Sequence, residues 1–221
     1  MEIPDGLVNG EQQQQRLLDV MARDLRERGF SIQPNAVPMD LAQALWEHAI
    51  GLSPAQYDPA GIGREQDQTL NRFVRSDEIC WINGNSDAGK RWLLWTGELQ
   101  RFLNQRLFLG LFSFESHFAH YSPGDFYKRH YDAFRGEANR VLSLVVYLNP
   151  GWQPTDGGEL VIYQNDSDQD GIRVTPAFAT AVVFLSEEFP HEVLPAQRDR
   201  YSIAGWFRVN ISTSAKVDPP L

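Results

Sequence analysis

His130-Tyr131-Asp132 closes a strand-like stretch of the sequence, and residues two apart on a strand share a face. His130 and Asp132 are therefore expected to converge while Tyr131 points away. A metal needs a third donor, and the remaining histidines are His48, His117, His120 and His191. His117 and His120 are three apart in another strand pattern, which places them on opposite faces. His48 falls on a helix without a nearby partner and reads as a surface or capping histidine. His191, 59 positions after Asp132 and just beyond the apolar run Ala181 to Leu185, is left. Two histidines and one carboxylate suit non-haem Fe(II), because the facial arrangement leaves coordination positions open. Taken alone, His-x-Asp also reads as a hydrogen-bonded pair at a strand end. Arg200, nine positions past His191, adjoins the strand-like Tyr201 to Phe207. A guanidinium projecting into a barrel needs an anion. A dicarboxylate co-substrate held by the metal at one end would supply that anion at the other; the plainer reading is a surface salt bridge.

The elements that must position these groups fall into two parts. Residues 11–28 carry Leu17, Leu18, Met21 and Leu25 at helical spacing, and Gly29 closes the helix. A second helix starts near Asp40 as its cap and buries Leu41, Leu45, Trp46 and Ala49. A third spans about 90–108, with Trp92, Trp95, Leu99, Phe102 and Leu103 mostly on one face. From residue 112 the pattern changes to short strands bounded by Gly, Pro, Asn and Asp: 112–121, 126–132, 140–148, 158–164, 172–174, 178–185, 190–194 and 201–210. Helices followed by eight short strands predict an α+β chain, a double-stranded β-helix or jelly roll with N-terminal helices on one sheet. One domain is expected over 1–221, with helices to about 110, the jelly roll over 111–211 and a frayed tail at 212–221. Residues 58–71 read as a long loop between two early strands, of the kind that carries function.

Two motifs are declined. Gly84 to Lys90 has P-loop spacing, but Arg91 stands where Mg²⁺ needs Ser or Thr, and Asp87 would repel phosphate. Asp166-Ser-Asp168-Gln-Asp170-Gly171 copies half of an EF-hand, yet its twelfth position is Ala177 where a bidentate Glu is required. A polar hairpin turn is the better reading.

Composition narrows the classes further. The 221 residues carry 20 Lys plus Arg against 29 Asp plus Glu, a net charge of −9, which leaves little attraction for phosphate backbones. At 42% hydrophobic and 22% charged the chain is expected to fold in water. Its longest apolar runs, such as 141–148, stop far short of the roughly 20 residues of a transmembrane helix. The N-terminus carries acids where a signal peptide needs basic residues, and no apolar stretch follows. A cytoplasmic protein without membrane or nucleic-acid partners is expected. Cys80, the single cysteine, cannot form an internal disulfide or a Cys-rich zinc site.

Four segments together resemble the Fe(II)- and 2-oxoglutarate-dependent prolyl 4-hydroxylases, most of all the hypoxia-inducible-factor prolyl hydroxylases and their bacterial relatives. They are Tyr121-Ser-Pro-Gly-Asp-Phe-Tyr-Lys-Arg-His130-Tyr-Asp132, Arg140 to Asn149, Gly157-Gly158-Glu-Leu, and His191-Glu-Val through Arg200-Tyr-Ser-Ile. The resemblance spans about 75–210. It implies that His130, Asp132 and His191 bind iron and that Arg200 pairs with the distal carboxylate of 2-oxoglutarate, with Tyr147 donating to the same group. It places Tyr121 near the chelating end of the co-substrate and Ser143 facing it. Arg140 would contact a protein substrate, Arg75 and Asp77 would edge a finger loop (58–77) that folds over the peptide, and Trp206 would line the pocket. Lys generally replaces Arg200 in collagen-type members. A minimal catalytic domain, acting as a monomer with Fe(II), 2-oxoglutarate, O2 and ascorbate as reductant, is implied. The implied reaction is hydroxylation of a prolyl residue in a protein loop, elongation factor Tu being the leading candidate, and a role in oxygen sensing comes with the family. The rival readings are hydroxylation of a free amino acid or other small molecule, and a non-catalytic jelly-roll ligand sensor.

Overall fold

Alternating apolar and polar residues over the second half of the chain form two antiparallel sheets in the computed structural model, which describes residues 5–61, 73–133 and 139–210, with backbone alone for 5–11. In chain order the elements are α1 (Asp5–Arg28), β1 (Phe30–Gln33), α2 (Met39–Gly51), β2 (Asp58–Pro59), β3 (Glu78–Trp81) and α3 (Asp87–Leu107). The strands β4 (Leu111–Tyr121), β5 (Tyr127–His130), β6 (Arg140–Tyr147) and β7 (Leu160–Ile162) follow. Next come β8 (Ile172–Val174), β9 (Ala181–Leu185), β10 (His191–Val193) and β11 (Arg200–Val209). The large sheet runs β1-β9-β6-β11-β4-β3-β2 and the small one β5-β10-β7-β8. β4 to β11 are the eight expected strands of the jelly roll, while β1, β2 and β3 widen the large sheet.

Strand parity divides the core in two. Leu142, Leu144 and Val146 of β6 point outward, where Ile203 and Phe207 of β11 join Met21, Leu25, Leu45, Trp92, Leu99 and Leu103 of the helices. Tyr147, which follows Val146, points inward, where Tyr121 and Phe184 meet Leu160, Ile162 and Val193 of the small sheet. The helices thus seal one face of the large sheet and leave the other to the site.

Several boundaries differ from expectation for local reasons. α2 starts at Met39 behind Pro38, and Asp40 is no cap: in the first turn, it pairs with Arg91 of α3. Trp46 is only partly buried. α3 starts at Asp87 because the Ser86 hydroxyl accepts from the Gly89 N–H at 3.0 Å. The segment with P-loop spacing is therefore a helix cap. Gly89 is required there, since a Cβ would lie 2.3 Å from the Asn83 carbonyl oxygen. Gly89→Ala should cost about 2 kcal/mol by forcing this turn apart, read as a lower urea midpoint at unchanged slope. β1, four residues long after Gly29, was not signalled by any alternation and pairs with β9 from Phe30↔Phe184 to Gln33↔Ala181. In the 166–171 turn Asp168 accepts from the N–H groups of Gln164, Asp170 and Gly171, the polar turn read from the sequence. Residues 62–72 of the proposed finger loop and the tail 212–221 lie outside the described residues.

Candidate active site

β5 and β10 lie side by side with His130 directly opposite His191. β5 ends at His130, not at residue 132 as expected, so strand parity does not deliver Asp132: a bend after the strand does. The carboxylate reaches between the two rings, 3.6 Å from His130 Nε2 and 3.7 Å from His191 Nε2. One donor atom from each of the three residues lies within 4.8 Å of the others. Both imidazoles are oriented from behind. His130 Nδ1 meets the Lys128 carbonyl oxygen at 2.7 Å and His191 Nδ1 the Phe189 carbonyl oxygen at 3.1 Å. A carbonyl oxygen only accepts, so each Nδ1 carries the proton and each Nε2 presents a lone pair. That is the tautomer a metal ion needs. Tyr127 stacks on His130, and Phe184 of the large sheet meets His191 edge-on.

Ser143 donates to Asp132 Oδ2 at 2.6 Å and lies 2.9 Å from the Ser186 hydroxyl. Its hydroxyl thus aims the carboxylate. Burial alone would raise the Asp132 pKa, but His191, His130 and Ser143 together hold it well below the ordinary carboxylate range. His191 is pushed down to about 4, by burial first and then by His130. His117, also fully buried, is pushed down to about 3 by burial, with Arg75 and Arg140 adding to it. Below about pH 6.5 the unfolded chain binds two protons at these histidines that the folded chain refuses. Stability of the metal-free protein should therefore fall with pH from about 6.5 towards 4, by up to about 1.4 kcal/mol per unit for each histidine. Urea unfolding at about pH 7.5 and about pH 5 checks this, the midpoint being lower at the acid end.

Arg200 opens β11 and is 1% exposed. Its Nε donates to the Gly158 carbonyl at 2.9 Å and Nη1 to the Ser202 hydroxyl at 3.2 Å. No carboxylate pairs with it among the described residues. Gly158, at φ +70°, is shaped to this arginine: a Cβ would stand 3.1 Å from Arg200 Cδ. The rings of Tyr121 and Tyr147 flank the guanidinium at 5.0 and 5.2 Å. The Tyr147 hydroxyl is buried without a hydrogen-bond partner. A buried cation without an anion, next to an unmet hydroxyl, fits the carboxylate end of a small acid.

On the other side of Asp132, Arg140 lies 3.6 Å over the Trp206 ring and donates to Glu115 through Nη2 at 2.8 Å. Its Nη1 reaches the Asp132 backbone carbonyl at 3.5 Å. Arg75 grips Asp77 through Nε and Nη2 at 2.7 and 2.6 Å and covers the Tyr127 ring. The structure thus brings His130, Asp132, His191, Ser143, Arg140, Trp206 and Tyr127 into one neighbourhood, with Arg200, Tyr121 and Tyr147 deeper in the sandwich. Sequence reasoning overlooked Glu115, Tyr127 and Ser186, and it set His117 aside. Pairing of β11 with β4 sets Trp206 against Glu115, a juxtaposition that no spacing along the chain contains. His48 is a packing group more than a cap, its ring against Phe118.

Residues 116–208 match the model of the 2OG-Fe(II) oxygenase superfamily. The chain is similar to a crystallised prolyl-4-hydroxylase of Pseudomonas putida, at 42% identity and a TM-score of 0.78, over 87% of this chain and 99% of that one. It is also similar to a prolyl hydroxylase of Trichoplax adhaerens solved with a hypoxia inducible factor oxygen degradation domain peptide fragment. That match has 26% identity, a TM-score of 0.79 and 94% of each chain covered. Egl nine homolog 1 of Homo sapiens is 29% identical over 152 residues, 64% of this chain and only 35% of the human protein's length.

Proposed function

We propose, from the premise that this chain belongs to the prolyl 4-hydroxylase family of Fe(II)- and 2-oxoglutarate-dependent oxygenases, that it hydroxylates a prolyl residue in an exposed loop of a protein. One observation carries the reading: three converging donors, His130, Asp132 and His191, share the sandwich with a buried Arg200 that has no carboxylate partner among the described residues. His130 and His191 hold the metal through Nε2 because their Nδ1 protons are committed to carbonyls, and Asp132 does so with its free oxygen while Ser143 steadies the other. Arg200 would take the distal carboxylate of 2-oxoglutarate as a two-pronged donor, and the Tyr147 hydroxyl would donate a hydrogen bond to the same group. Tyr121 walls the chelating end. Iron and 2-oxoglutarate held there would supply the oxidising chemistry, with succinate and carbon dioxide formed from the co-substrate and one oxygen atom of O2 inserted into a substrate C–H bond. The chain's own part is to order these groups and exclude water. Arg140, Trp206 and Arg75 face the peptide, and Asp77, buried beneath Arg75, fixes its guanidinium.

Elongation factor Tu is the leading substrate, ascorbate the reductant and a cytoplasmic monomer the working form. No helix among the described residues is long and apolar enough to cross a membrane. Mass spectrometry of a cytosolic proteome incubated with the protein, Fe(II), 2-oxoglutarate and ascorbate, against an Asp132→Ala control, tests the proposal. A single-oxygen mass gain on a specific proline, absent from the control, supports it and names the substrate. Succinate formed from a metabolite extract, with no modified protein, would move the activity to a small molecule.

A further inference from the structure

His117 lies on the inner face of the large sheet, 2% exposed, opposite Ala204 of β11 and Trp81 of β3. Both of its ring nitrogens are buried and have no hydrogen-bond partner among the described residues. Nε1 of Trp206, whose ring is 5.5 Å away, is buried and unpartnered as well. A neutral imidazole offers one donor and one acceptor and an indole one donor, so three unmet groups gather at a single place. Folded proteins satisfy the large majority of buried polar atoms, so a cluster of exceptions calls for a functional or ligand-based explanation. Packing alone does not account for the imidazole, because a leucine would fill the position without a buried polar atom.

The place is informative. Trp206 is opposite Ser143 in the β11–β6 register, and Ser143 holds Asp132. On the far side Trp81 meets His117 edge-on at 5.2 Å and is itself 52% exposed, so the cluster is one side chain from the surface. The nearby cations are already matched, Arg75 by Asp77 and Arg140 by Glu115. What remains unmet is neutral and of both polarities. That is the complement of a peptide backbone, which offers carbonyl acceptors and N–H donors in succession. We propose that His117 and Trp206 form a backbone-recognition subsite, with His117 a substrate-positioning residue that hydrogen-bonds a peptide group of the protein substrate. The inference rests on the prolyl hydroxylase reading above.

The substrate protein identified by mass spectrometry is titrated against wild type, His117→Leu and His117→Gln, and each protein's thermal midpoint is measured. Loss of one hydrogen bond to the peptide predicts a KM about tenfold higher for His117→Leu, with a smaller change in kcat. Its midpoint should rise by about 3 °C, because a costly buried polar ring is gone. His117→Gln, which keeps a donor and an acceptor, should recover most of the KM. A His117→Leu variant with wild-type KM would overturn the subsite and leave the hydroxylase reading standing. So would a His117→Leu variant with a lowered midpoint, which would make the ring a packing element. Wild-type protein that modifies no proline in the proteome would overturn both.

Discussion

Asp132→Ala is expected to bring iron-dependent turnover below detection while the metal-free protein unfolds within about 3 °C of wild type. The carboxylate stands between the two imidazoles, its oxygens 3.6 and 3.7 Å from their Nε2 atoms. Its removal takes away one of three donors and all of the site's compensating charge. Loss of an outer partner of a metal ligand costs about 10- to 100-fold, so loss of the ligand itself should exceed 100-fold in metal affinity. The fold is spared for a separate reason. In the metal-free protein His191, His130 and Ser143 favour the ionised carboxylate, so its loss lowers the midpoint slightly, but no core packing goes with it. Ser143→Ala, which frees the carboxylate to swing, should fall between the two, with metal affinity lowered about tenfold. Titration with Fe(II) under anaerobic conditions, followed by succinate formation, reads both. Wild-type turnover in Asp132→Ala would remove the triad from the chemistry.

Arg200→Met should give opposite signs with and without the co-substrate. Without it, the variant should be the more stable protein by a few degrees, since a buried guanidinium with no carboxylate among the described residues is an uncompensated charge. With it, affinity for 2-oxoglutarate should drop about 100-fold or more, as when one partner of a buried charge pair is truncated. Thermal midpoints across a 2-oxoglutarate titration show both in one experiment: wild type climbs with ligand and the variant stays flat. Arg200→Lys should lie nearer to the variant, because an ammonium cannot copy the fork that donates to Gly158 and Ser202. Equal midpoints for wild type and Arg200→Met at every concentration would place the arginine outside the co-substrate site.

Residue types and spacing made the donors legible, because few side chains bind iron and most histidines here could be set aside by strand parity or by lack of a neighbour. The eight strands of the jelly roll were legible for the same periodic reason, and β6 shows it most plainly in its outward Leu142, Leu144 and Val146. What stayed hidden depends on neighbours across strands. Asp132 was assigned to the right neighbourhood through the wrong geometry, a strand where the chain bends. The pairing of Arg140 with Glu115 joins positions 25 apart, and the Ser143 and Ser186 hydroxyls meet 43 apart. Neither appears in any local pattern. β1 escaped because four residues are too short for alternation to register, and its partner β9 supplies most of the order. His117 was set aside as a ligand, and only its burial without partners among the described residues gives it significance.

The two histidines belong to the small sheet, whereas Ser143, which aims Asp132, and Phe184, which supports His191, belong to the large one. The distance between the sheets is therefore a dimension of the active site. Side chains such as Phe184, Ile162 and Leu160 act as spacers as well as core, and their length sets how far Ser143 stands from the carboxylate it orients. A substitution there that kept hydrophobicity but shortened the spacer would be a catalytic change in disguise. For this sandwich, thickness is a catalytic parameter in its own right.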